Sequence, residues 1–306
     1  MHRFRWALVA LVLTLVSTAA LAPPLAAQQD LSQVEIKVHK VADGVFMLEG
    51  AGGNIGVSAG PDGVFMIDDQ FAPLTEKIQA AVASFSDQPI RFVLNTHWHY
   101  DHTGGNENLG KAGAVIVAHE NVRERMSVDR FMAAFDRRQP ASPAVALPVI
   151  TFPDSVTFHL NGDDIRAIHV PPAHTDGDSA VLFTEADVLH TGDLFFNGFY
   201  PFIDTSVGGG IDGMIAAADL LLALIGENTK IIPGHGPLAS RADYVTFRDM
   251  LQGVRDAVYP LVAQGKTLEE VKAADPLAPW NDPWGKGFMN GEQFLSIVYD
   301  SLTHGG

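Results

Sequence analysis

Between Val41 and Leu238 the chain consists of short apolar runs separated by turn residues. Val45–Leu48, Ile55–Ala59 and Val64–Ile67 are each of strand length. Glycine-rich residues 50–54 and Gly60-Pro61-Asp62-Gly63 turn the chain between them, which predicts an antiparallel meander. Leu74–Phe85 changes period: Leu74, Ile78, Ala81, Val82 and Phe85 fall on one helical face. Ile90–Asn95 reads as a buried strand and Ala114–Ala118 as another, followed by a polar helix from Glu120. The proline-rich stretch Pro140–Pro148 reads as a loop.

The plan then repeats. Ser155–Leu160 and Ile165–Val170 are predicted strands split by Asn161-Gly162-Asp163, and Ala180–Thr184 and Val188–His190 follow. Ile211–Ile225 has helical spacing, and Lys230–Pro233 is a last short strand. Meander, helix and strand thus occur twice, which predicts two similar halves, each a sheet with helices outside. Beyond Arg241 the spacing is helical over Tyr244–Ala263, Leu268–Ala274 and Glu292–Leu302, with Asn281–Gly285 expected as a loop.

The N-terminus departs from this pattern. Arg3 and Arg5 precede an apolar run from Trp6 to Ala22, Pro23-Pro24 breaks it, and Ala26-Ala27 precede Gln28. That is the layout of a secretory signal peptide over residues 1–27, leaving 28–306 as the mature, periplasmic or secreted domain, with 240–306 a helical extension. The net charge of −16 argues against nucleic acid as a partner, since phosphates need Lys and Arg. No membrane association is expected after the leader is removed. With no cysteine, neither a disulfide nor a thiolate ligand is available.

Twelve histidines change the picture. His97, His99, Asp101 and His102 stand within Asn95-Thr-His-Trp-His-Tyr-Asp-His-Thr-Gly-Gly-Asn106, where a predicted strand ends. Close-set imidazoles and a carboxylate at a sheet edge suit a borderline metal ion. Three further candidate ligands follow other apolar strands: His174 in Pro-Ala-His-Thr-Asp-Gly-Asp-Ser, Asp193 in His-Thr-Gly-Asp-Leu-Phe, and His235 in Pro-Gly-His-Gly.

These motifs, in this order, resemble the metallo-β-lactamase superfamily, and the resemblance covers Val41 to Leu238. It implies a four-layer αββα metallo-β-lactamase sandwich, an α/β fold here carrying a C-terminal helical extension. It implies that His97, His99 and His174 hold a first metal, that Asp101, His102 and His235 hold a second, and that Asp193 bridges them. Asp68, ending a strand, matches an outer-shell aspartate. Two Zn²⁺ are the expected ions, and the all-N/O donor set also suits iron or manganese. Within the superfamily, glyoxalase II shares the bridging aspartate. The B1 β-lactamases place cysteine there and usually a lysine three residues later, where this chain has Phe196.

The resulting expectation is an exported dinuclear hydrolase acting on a small-molecule β-lactam, lactone, ester or thioester, β-lactamase-like in its most specific form. A metal ion lowers the pKa of bound water toward 7, and Asp101 is the residue expected to orient the resulting hydroxide. The alternative is a periplasmic accessory protein that keeps the metal site but serves a redox or quinoprotein pathway by binding. The aromatic run Phe195, Phe196, Phe199, Tyr200, Phe202 reads equally as a substrate wall or as core packing, and Asn197 as a donor to a substrate carbonyl.

Overall fold

The computed structural model describes residues 30–132 and 137–304, so the leader lies outside the described residues. Strands β1 (Lys37–Ala42), β2 (Val45–Glu49), β3 (Ile55–Gly60), β4 (Gly63–Ile67), β5 (Ile90–Asn95), β6 (Val115–His119) and β9 (Ile150–Phe152) form a seven-stranded sheet in that order. The meander β1–β4 is antiparallel, and β4, β5, β6 and β9 run parallel. The second sheet orders β10 (Ser155–Leu160), β11 (Asp163–His169), β12 (Ser179–Phe183), β13 (Val188–Phe196), β14 (Lys230–His235) and β15 (Ala239–Ser240). A small hairpin, β7 (Arg130–Met132) and β8 (Arg137–Gln139), stands apart from both.

Period-2 alternation sorts side chains into layers. On β4, Phe65 and Ile67 join Val45, Met47, Leu94 and Val117 in a core that also holds Ile165, Val181, Phe183 and Ile232 of the second sheet. That core is therefore the seam between the sheets. The other face of β4, Val64 and Met66, packs with Ile78 and Val82 of α1 (Thr75–Ala83). The shorter helices are α2 (Tyr100–Thr103), α3 (Asn106–Lys111), α4 (Glu120–Met126) and α7 (Leu268–Ala273). On the far side of the second sheet, Leu189 and Ile231 meet α5 (Ile211–Leu224), α6 (Arg241–Ala263) and α9 (Gly291–His304) through Leu221, Phe247, Leu251 and Phe294. The order helix, sheet, sheet, helix is the four-layer αββα sandwich, and the predicted two-half organisation stands.

Several elements differ from expectation. β1 was not anticipated: it is a mostly exposed edge strand with only Val41 buried, so its sequence lacks an apolar signature. β9 and the β7–β8 hairpin are only three residues per strand, too short for a periodic signal. The expected loop at Asn281–Gly285 is instead mostly helix α8 (Ala278–Trp284), with Pro279 in the first turn, where no amide donor is needed, and Pro283 inside the helix. The run expected to end at His190 continues to Phe196, so Asp193 lies within β13 and not after it.

Candidate metal centre

The candidate ligands come from five places along one edge of the two sheets. β5 ends at Asn95 and delivers His97 and His99, and the short helix α2 (Tyr100–Thr103) carries Asp101 and His102. His174 stands in the β11–β12 loop, Asp193 on β13, and His235 ends β14. The β13–β14 register shifts around Gly192, whose φ is +53°. A Cβ there would lie 2.6 Å from Thr96 Oγ1, so glycine permits the irregularity that aims Asp193 at the ligands. Gly234 matters equally: a Cβ on it would approach Asp193 Oδ1 to 2.1 Å.

All seven predicted residues come together in two groups, His97/His99/His174/Asp193 and Asp101/His102/His235, with ligand atoms within 4.8 Å of one another in each group. In the first, His99 Nδ1 lies 3.1 Å from His97 Nε2 and 2.9 Å from His174 Nε2. In the second, His235 Nε2 lies 3.4 Å from His102 Nε2 and 3.3 Å from Asp101 Oδ2. Asp193 divides its carboxylate between them. Its Oδ2 is 3.4 Å from His174 Nε2 and 3.8 Å from His97 Nε2, while Oδ1 is 3.0 Å from His102 Nε2 and 3.4 Å from His235 Nε2.

The outer nitrogens are paired as a ligand set requires. His99 Nε2 faces Asp204 Oδ2 at 3.1 Å, His174 Nδ1 faces the Phe202 carbonyl at 2.8 Å, and His102 Nδ1 faces Asp68 Oδ2 at 2.7 Å. Carboxylates and carbonyls only accept, so each of these imidazoles carries its proton on the outer nitrogen. His97 Nδ1 faces Thr96 Oγ1 at 3.0 Å, whose own hydroxyl donates to Asp68. In the first group the inner nitrogens are then bare lone pairs crowded at about 3 Å. Asp193 Oδ1, buried among them, finds no hydrogen-bond donor correctly aligned. Convergent lone pairs without protons call for a cation. The spacing suits one, since the N···N edge of a tetrahedral zinc site with Zn–N of 2.0–2.1 Å is about 3.3 Å.

Electrostatics agree. Burial pulls His174 down to about 4 and His97 well below the ordinary imidazole value, so these two imidazoles are neutral, the state that ligates. In the second group burial also opposes charge, but Asp193 and Asp101 outweigh it and push His235 up to about 9. The two carboxylates thus draw positive charge to that half of the centre.

Asp68 behaves as expected. It ends β4 with φ +61° and accepts from Thr96 N, Thr96 Oγ1 and His102 Nδ1, tying the His97 strand to a ligand of the second group. Asp204 has the same role for the first group and was not anticipated. It follows the aromatic run in an irregular segment, with nothing in its local sequence to mark it. Five further histidines among the described residues stay outside the centre. His190 bonds the Asn54 carbonyl and the Gly192 amide, His119 stacks on His169 at 3.6 Å, and His159 and His39 pair with Asp164 and Glu49.

The aromatic run is core packing: Phe195, Phe196, Tyr200 and Phe202 are all buried in the helix-side cluster, with partly buried Phe199 against it. Phe195 and Tyr200 are core, stacked on Tyr244 and Phe294. Phe196 stacks on His235 at 5.1 Å, and Phe202 lies 5.7 Å from His99. Asn197 is committed elsewhere: its amide donates to the Pro237 carbonyl and braces the His235 loop.

The family model of the metallo-beta-lactamase superfamily matches residues 50–239. The chain belongs to that superfamily. A hydroxyacylglutathione hydrolase from Polaromonas sp. is 27% identical over 192 residues, covering 62% of this chain and 65% of the relative. The chain thus spans just under two thirds of that relative's length. The lactamase-like protein aptB of Emericella nidulans is 27% identical over 286 residues, 92% of this chain and 78% of the relative. Among solved structures, a metallo-beta-lactamase from Pontibacter korlensis superposes with a TM-score of 0.58 at 20% identity, covering 71% of this chain and 99% of that one. The sec-alkylsulfatase Pisa1 from Pseudomonas sp. gives 0.67 at 18% identity, covering 86% and 50%. These superpositions establish the fold. The protein is a member of a hydrolase superfamily with a His/Asp cluster fit for metal.

Proposed function

We propose that this protein is an exported hydrolase that holds two metal ions, zinc first among them, and cleaves the acyl bond of a small-molecule ester, thioester, lactone or lactam. The observation that carries this reading is the division of the Asp193 carboxylate, one oxygen toward each histidine group. A protein that only bound a partner would gain little from a shared carboxylate between two ion sites. Export is supported by the charged and apolar layout of residues 1–27.

When bound, the ions supply Lewis acidity and a water acidic enough to react at neutral pH. His97, His99, His174 and Asp193 Oδ2 would hold one, and Asp101, His102, His235 and Asp193 Oδ1 the other. The first group is sealed, whereas Asp101 and His235 keep 28% and 22% of their side chains exposed. Substrate therefore approaches over the second group. Asp101, on that open side, orients the attacking water. Hydrolysis forms a carbon–oxygen bond from water and breaks the acyl bond to oxygen, nitrogen or sulfur. One proton of the water ends on the leaving heteroatom, and the acid product releases the other to solvent.

The test is a panel of nitrocefin, a lactone, an ester and a thioester, offered to mature protein of measured metal content. Turnover of at least one, lost on chelation and restored by metal, is the expected result. No turnover of any by the metal-loaded protein would favour the accessory-protein reading.

A further inference from the structure

The segment that secures the first metal group is itself tied to the C-terminal helix. Asp204 uses both carboxylate oxygens. Oδ2 faces His99 Nε2 at 3.1 Å, while Oδ1 accepts from Ser206 N at 3.2 Å and from Ser206 Oγ at 2.5 Å, capping the single 3₁₀ turn Thr205–Val207. One turn of three residues has little stability of its own, since fixing its backbone costs more than its few bonds return. Its place is set by its neighbours. On the ligand side, Asp204 N donates to the His174 carbonyl at 2.9 Å and Gly210 N to the Ala173 carbonyl at 2.8 Å. There is no slack on that side: a Cβ on Gly209 would lie 2.5 Å from the His174 carbonyl oxygen. On the other side, Thr205 Oγ1 donates to Asp300 Oδ2 at 2.6 Å, the length of a hydroxyl–carboxylate bond, and Ile211 N donates to Ser301 Oγ at 3.4 Å.

Asp300 and Ser301 stand on α9, which is firmly seated. Phe294 and Val298 are fully buried in the helix-side core, and Tyr299 Oη donates to the Lys266 carbonyl at 3.0 Å. A side chain carried on a packed helix holds its position better than one on an irregular segment. α9 lies beyond residue 239, where the superfamily match ends. The first metal group thus leans on a part of the chain that the match does not reach. The second group is held differently, through His102 Nδ1 and Asp68 at the end of β4.

We propose that Asp300 is a positioning residue for the first metal group. It fixes Thr205 and the turn, and through the turn it holds the Asp204 carboxylate against His99. The inference rests on reading His97, His99, His174 and Asp193 as an ion site, and it adds the C-terminal helix to what shapes that site.

The test titrates Zn²⁺ into the metal-free full chain against a chromophoric chelator. Anomalous scattering from crystals at one ion per chain shows which group fills. Thr205→Val removes the hydroxyl at nearly constant shape. It is expected to weaken the first-group ion by about threefold to tenfold, less than the loss of a direct outer partner, and to leave the second-group affinity unchanged. Thr205→Ser keeps the hydroxyl and restores the affinity. Asp300→Ala matches Thr205→Val, and the double variant is no weaker than either alone, because both changes remove the same bond. Tyr299→Phe removes a different bond of the same helix, and should lower the melting temperature without touching either affinity. Undiminished first-ion affinity in Thr205→Val, an equal loss in Tyr299→Phe, or no recovery in Thr205→Ser overturns the proposal. NMR of the metal-free protein reads the same link without an ion. The proton on His99 Nε2 shifts in Thr205→Val and Asp300→Ala and stays in place in Tyr299→Phe. If the unaltered protein binds no Zn²⁺, the metal reading falls. A shifted His99 proton then still upholds the hold of Asp300 on Asp204, and an unshifted one overturns it.

Discussion

Replacing Asp204 by Asn tests how the first metal group is held. The segment Phe202–Asp204 secures two of its three imidazoles. Asp204 Oδ2 accepts from His99 Nε2 at 3.1 Å, the Phe202 carbonyl accepts from His174 Nδ1 at 2.8 Å, and Asp204 N donates to the His174 carbonyl at 2.9 Å. Burial alone would raise the Asp204 carboxyl, but its bonds from His99 and Ser206 outweigh that and hold it below the usual range, so it stands ionised. Only 6% of the side chain is exposed, and solvent does little to screen the His99 contact. A hydrogen bond to a charged group at such a site is worth about 1.5–3 kcal/mol. Asn keeps the shape and loses the charge, so the outer proton of His99 is less firmly fixed and the inner lone pair is a weaker base. Outer-shell losses of this kind cost about 10–100-fold in metal affinity, or about 1.4–2.8 kcal/mol. Competition against a chromophoric chelator measures the affinity, and the melting temperature of the metal-free protein reports folding separately. Unchanged affinity for both ions in Asp204→Asn, with an unchanged metal-free melt, would refute the reasoning.

Three other outcomes follow from the same geometry. Asp193→Ala removes the carboxylate shared by both groups and is expected to lose the ion of the more open second group first, with most of the activity; elemental analysis retaining both ions per chain would count against a bridging role. Ser240→Ala removes one side of the Ser240/Asp243 capping box at the start of α6, far from the ligands. It should cost about 1 kcal/mol, lowering the melting temperature by about 2–4 °C while leaving metal affinity unchanged. With residues 1–27 read as a leader, the mature protein should begin at Gln28, and intact-mass measurement finding residues 1–27 still attached would overturn that reading.

The ligand residues were legible because each stands at or near the end of an apolar run, where an imidazole or carboxylate has no structural excuse. Asp68 was legible for the same reason. What the sequence hid was the outer partners of the first group, Asp204 and the Phe202 carbonyl. Asp204 sits in a segment without periodicity, and its role exists only because the chain folds it back against His99, 105 residues away. Phe195 and Phe196 adjoin in sequence and both enter the helix-side core, but only Phe196 also stacks on His235, a contact that depends on the pairing of β13 with β14. β1 escaped notice because an edge strand with one buried residue carries no pattern, and α8 because Pro283, inside the helix, reads locally as a breaker.

The most direct measurement is the metal-to-protein ratio of the metal-saturated protein by elemental analysis, combined with anomalous scattering from its crystals. Two ions per chain, one among His97, His99 and His174 and one among Asp101, His102 and His235, with Asp193 touching both, is the predicted result. A single ion, or ions bound away from these seven side chains, would contradict the account.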